Sequence, residues 1–165
     1  MCFMLYAGTA RPIPRREWKE GALDLPVRSL TEGEAPIRAH FRSAEVQFVG
    51  STSGCGCDFP CLQWMQNGEW APLEFSAPDE QVESEATARR NMKALVDLLR
   101  ETGEKAVEFY LIYRAGEDAF SEPPASLEDL PLESFLNPDF HFKEWGFYWV
   151  SLQTQAEGSL VPEQE

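Results

Sequence analysis

Long apolar runs are what this chain most clearly lacks: nothing in its 165 residues approaches the ~20 apolar residues a bilayer-spanning helix needs. The short apolar opening, residues 2–7, has no basic residue ahead of it and runs straight into Arg11, Pro12 and Pro14, so neither a signal peptide nor a membrane anchor is expected. Basic residues are scarce too, with 14 Lys+Arg against 28 Asp+Glu and a net charge of -14. Such a surface repels phosphate backbones and anionic lipid, which sets aside nucleic acid and membranes as partners and makes the cytoplasm the expected location. Histidine is limited to His40 and His141, and no G-x-S-x-G, H-x-x-x-H, phosphate-loop or dinucleotide-binding glycine pattern occurs. Acid-base catalysis is left to lone histidines or to carboxylates too numerous for any pair to stand out. The chain holds no complete catalytic motif, and whether it is an enzyme stays open.

Cysteine is also rare, at four residues, but its placement is not random. Cys55, Cys57 and Cys61 fall together in Gly54-Cys55-Gly56-Cys57-Asp58-Phe59-Pro60-Cys61. In an extended C-x-C segment both thiols point to one side, and Gly56 between them permits a tighter turn that gathers the sulfurs. Cys2 opens an apolar run that reads as a strand. If this strand pairs antiparallel with residues 46–49, Cys2 is carried to the cluster. Four soft ligands suit zinc in a closed tetrahedral site, or an iron–sulfur centre, which makes Cys2, Cys55, Cys57 and Cys61 the candidate ligands and zinc the candidate cofactor. The spacing departs from the usual two C-x2-4-C pairs, and His40 stands as a substitute ligand should Cys61 point away.

Other uses of the same residues compete with a metal. Cysteine is small and readily buried, so the cluster is also consistent with plain packing. Thiols in a reducing compartment do not build a disulfide framework, but Cys55 or Cys57 would serve as an attacking thiolate, assisted by the backbone N–H groups of residues 51–56 and resolved by its neighbour. No Lys or Arg flanks the cluster, and Asp58 opposes ionisation. Removal of Met1 would expose Cys2 as an N-terminal nucleophile, but amidotransferases of that kind begin Met-Cys-Gly and this chain departs at Phe3.

The rest of the chain reads as one α+β domain over residues 1–153, followed by an acidic flexible tail at 154–165. Strands are expected at residues 2–8, 27–30, 40–50, 107–114 and 145–152. Asn67-Gly68 predicts a hairpin with arms at 62–66 and 69–73, which brings Trp64 near Trp70 and leaves Pro72 on an edge. A long helix spans 76–103, with Ser76 as N-cap, Gly103 as terminator, and a stripe of Val82, Ala86, Met92, Leu95, Val96 and Leu99. The acidic connection 115–140 offers short helical turns at 126–130 and 132–136. The expected architecture is a mainly antiparallel sheet of four to six strands with the amphipathic helix on one face, the helix leading into strand 107–114 by a parallel crossover. Arg11, Arg15, Arg16 and Lys19 form the basic concentration, which reads first as a solvated face and otherwise suits an anionic ligand, a partner's acidic segment, or this chain's own 117–133.

The opening Met1-Cys2-Phe3-Met4-Leu5-Tyr6-Ala7, together with Val49-Gly50-Ser51 and Gly54-Cys55-Gly56-Cys57-Asp58-Phe59, resembles small uncharacterised bacterial proteins that pair such a start with a Gly-Cys-Gly-Cys loop. The resemblance covers these segments alone and implies no activity, substrate or cofactor. The leading functional expectation is a cytosolic domain whose cysteine loop binds zinc, structurally or as a device for binding a protein partner. The alternatives are thiol redox or nucleophilic chemistry on the same loop, and a metal-free interaction module built on the acidic connection and exposed aromatics.

Overall fold

The computed structural model describes residues 2–72, 78–114 and 116–153, with backbone alone for residues 78–82, 114 and 117. In chain order the strands are β1 (Cys2–Thr9), β2 (Val27–Ser29), β3 (Glu45–Val49), β4 (Cys61–Trp64) and β5 (Trp70–Pro72), then helix α1 (Pro78–Thr102), then β6 (Ala106–Arg114), β7 (Ser126–Pro131), β8 (Phe142–Lys143) and β9 (Gly146–Ser151). Three 3-10 segments lie at Glu32–His40, Glu117–Ser121 and Leu132–Leu136. The protein is mixed α/β, with a six-stranded sheet in the order β2-β3-β1-β6-β9-β7 and a small sheet in the order β5-β4-β8. None of the described helices is long and apolar enough to cross a membrane.

The apolar runs at residues 2–7 and 109–112 are continuous rather than alternating because β1 and β6 are buried on both faces. Phe3, Leu5 and Ala7 of β1 and Val107, Phe109 and Leu111 of β6 pack in one cluster with Met92, Leu95, Val96, Leu98 and Leu99 of α1. Met4, Tyr6, Tyr110 and Ile112 face the other way, where Ile37 and Phe120 of two 3-10 segments cover them. An ion pair between the buried Glu34 and the partly exposed Arg28 anchors this second layer. The Glu34 carboxylate accepts from Arg28 at 2.6 and 2.8 Å, from Tyr6 Oη at 2.9 Å and from the Thr31 N–H at 2.7 Å.

The large sheet is mixed but mainly antiparallel: β7 runs parallel to β9, and the other four pairings are antiparallel. The expected parallel crossover is present, though not between adjacent strands: β3 and β6, joined through α1, both run antiparallel to β1 and so parallel to each other, with β1 between them. Residues 126–130 form a strand instead of a helical turn. The three-residue spacing of Leu127 and Leu130 mimics a helix, but the segment alternates in burial and pairs along β9. Residues 32–40 form a 3-10 segment, and the strand expected from residue 40 begins at Glu45. The second sheet joins the expected hairpin, β4 and β5, to β8, which runs parallel to β4 and was not foreseen.

The hairpin forms with Trp64 opposite Trp70, their rings 5.2 Å apart, and with Pro72 on the edge strand β5. Its turn is not the two-residue type: Gly68 alone takes a left-handed φ of 81°, its N–H bonding Met65 O at 3.0 Å while Met65 N–H bonds Glu69 O at 2.9 Å. On α1, Ala86 is exposed and Leu98 joins the buried face, so packing begins further along the helix than the stripe implied. Gly103 ends the helix at φ 68°. Ser76, the tail and the side chain of Val82 lie outside the described residues. The basic cluster turns to the helix end instead of 117–133, with Arg16 3.0 Å from Glu101 and the Arg11 N–H donating to Glu104 at 3.1 Å.

Candidate metal centre

The site begins with strand pairing. β1 runs antiparallel to β3, Leu5 opposite Val49, so the chain leaving β3 passes beside the first residues of β1. The loop that follows is held at three points. Trp18 donates its indole N–H to Thr52 O at 2.9 Å and lays its ring against Gly54, whose φ of 91° excludes most side chains. Asn91, buried in α1, accepts from the Thr52 N–H at 2.8 Å and donates to Thr52 Oγ1 at 3.2 Å. Gly56 donates its N–H to Phe3 O at 2.8 Å, and a Cβ there would sit 2.8 Å from that same oxygen.

Gly56 thus seats the C-x-C segment directly on β1. The Sγ atoms of Cys2, Cys55 and Cys57 lie within 4.8 Å of one another, Cys2 exposed and the other two half-buried. In a tetrahedral zinc site, Zn–S bonds of ~2.3 Å put sulfurs about 3.8 Å apart, so closure around an ion requires movements of an ångström or less.

Hydrogen bonding differentiates the three thiols. The Cys57 S–H, donated to Cys55, is the largest influence lowering the Cys55 pKa to about 5. Burial opposes this, and the Cys57 N–H at 3.3 Å, Ser53 Oγ at 3.6 Å and the Cys2 thiol add to it. Donors aimed at the charged form produce this shift, and no cation contributes to it. Cys57 is raised in turn, because its proton is held by Cys55 and because it is partly buried.

Cys61 does not join the group. It lies at the start of β4 with 4 % exposure, packed into the α1 side of the core, and its thiol reaches back to Gly56 O at 3.7 Å. Burial, and then the charge of Cys55, raise its pKa. His40 is engaged elsewhere, with Nε2 3.2 Å from Phe120 O and its ring against Tyr110. His141 Nδ1 meets Asp139 O at 3.0 Å. Among the described residues, no further Cys, His, Asp or Glu completes the set.

Three contributors escaped the sequence reading. Ser53 and Trp18 have no motif around them. Asn91 carried a usable signal, since it falls four residues before Leu95 on the apolar face of α1, where a polar side chain calls for a partner. On its open side the site borders a groove of about 480 Å³ lined by Cys2, Met4, Arg28, Phe48, Gly54, Cys55 and Gly116. Compared with known protein families, curated proteins and solved structures, the chain matches none.

Proposed function

We propose that this protein binds one thiophilic metal ion, zinc in the first place, through Cys2, Cys55 and Cys57, and presents its fourth coordination position to the adjoining groove. The observation that carries the reading is the convergence of three sulfurs within 4.8 Å from two separate parts of the chain. Structural zinc sites close with four protein ligands, whereas sites that exchange a ligand keep three and leave one position open. With Cys61 in the core, this arrangement belongs to the second kind, and its role is to hold an external ligand or a partner's side chain. The low proton affinity of Cys55 supports it, because a thiolate that is already ionised does not make the metal compete with a proton.

Elemental mass spectrometry on untagged protein, purified without chelator, tests the proposal, with thiols counted before and after denaturation. One zinc per chain is expected, lost in Cys57→Ser and retained in Cys61→Ser. Metal-free protein with its thiols reactive before denaturation would reject it. The donors around Cys55 favour a second reading in that event, a nucleophilic Cys55 with Cys57 as resolving thiol. Fast alkylation of Cys55 with reversible loss of both thiols under mild oxidation would mark it.

A further inference from the structure

Arg28 shares the groove with Cys2 and Cys55 and is only partly used by the fold. Its guanidinium face rests on the Phe48 ring, 4.2 Å from the centroid. Its terminal edge grips Glu34 with both Nη1 and Nη2, and Nη1 also reaches Ser29 O at 3.0 Å. What remains is the side edge, where Nε–H and the second Nη2–H point the same way. Neither donor has an acceptor among the described residues. The side chain is 41 % exposed, while Glu34, which holds it still, is 4 % exposed. A fixed, parallel pair of donors matches the two oxygens of a carboxylate.

We infer that the groove is a binding site for a small monocarboxylate that also carries sulfur, a thiol or disulfide, with its carboxylate on the free edge of Arg28 and its sulfur at Cys2 and Cys55. The volume of about 480 Å³ is that of a small-molecule site. A monoanion is favoured over a dianionic phosphate because a single guanidinium, largely neutralised by Glu34, faces it in a chain of net charge -14. The inference builds on the proposed function in taking the thiols as the sulfur-binding wall, but its test uses metal-free protein, so an absent metal and a failed groove give different results.

Metal-free protein is reacted with dithiobis(nitrobenzoate), a disulfide bearing carboxylates, and with the neutral dipyridyl disulfide. Each transfers one half to a protein thiolate and releases the other half as thiolate. Arg28→Lys keeps a cation beside Glu34 but loses the planar fork, so the carboxylate probe should slow about tenfold and the neutral probe less than about twofold. On the unmodified protein, propionate should slow the carboxylate probe saturably and inorganic phosphate should not, a measurement that does not depend on how the variant folds. Equal changes for both probes in Arg28→Lys, no protection by propionate, or equal protection by phosphate would overturn the inference.

Discussion

Cys55 and Cys57 divide one proton between them: Cys55 is the thiolate and Cys57 the donor that stabilises it. In metal-free protein, alkylation of Cys55 by iodoacetamide should therefore stay fast as the pH falls toward about 5. Cys57→Ala removes the S–H donor and should return the midpoint toward the ordinary thiol range, followed by mass spectrometry of the labelled peptide. Glu34 makes a second prediction. Burial alone would raise its pKa, but Arg28, the Thr31 N–H and Tyr6 outweigh that and hold it at about 2 instead of 4.5. A depressed folded-state pKa contributes stability that is complete above pH 4.5 and disappears as the pH falls toward 2. The shift corresponds to at most roughly 3 kcal/mol, less after screening at the partly exposed Arg28. Urea titrations should show Glu34→Gln less stable at neutral pH and lacking the extra loss of stability in that acid window. The cysteines were legible in the sequence because C-x-C is a spacing with a chemical reason. The Arg28–Glu34 pair was not, because nothing local distinguishes one carboxylate from 27 others in a chain with 28.

At the scale of elements, the site depends on how one loop docks on one strand. A methyl group at Gly56 would press on the Phe3 carbonyl and the Met4 nitrogen, both backbone atoms that cannot swing away. Gly56→Ala should lift the C-x-C segment off β1 and part Cys2 from its partners. Zinc stoichiometry should fall below one while far-UV circular dichroism stays unchanged, since the strand and helix cores do not pass through this glycine. The sequence announced β1 and β6 through short apolar runs and α1 through an apolar stripe of helical period, and placed β3 well enough to bring Cys2 to the loop. It hid β7, an edge strand whose leucines carry a helical spacing, and the 3-10 segment at 32–40, whose Pro36 and charges break any apolar period. Cys61 escaped the cluster because Phe59 and Pro60 turn the chain inward after Cys57, so that the next residue enters the core instead of rejoining the loop.

Across the whole molecule, the six-stranded sheet is clad on one face by α1 and the 3-10 segment Leu132–Leu136 and on the other by the remaining two 3-10 segments, and α1 also grips the cysteine loop through Asn91. Ion binding should therefore register in global stability. A ligand at a hundredfold excess over its dissociation constant adds about 2.7 kcal/mol, so Tm should climb with added zinc and drop back with chelator. In Cys55→Ser, calorimetry should find Tm much less responsive. The central position of β1 has one more consequence, for the order in which the chain assembles. Its two neighbours, β3 and β6, come from distant stretches of the polypeptide, and such long-range pairings are the slow events of folding. Cys2 meets Cys55 and Cys57 only once the first of those pairings exists, so a short bridging reagent added during refolding would time-stamp the zippering of the sheet from inside the molecule.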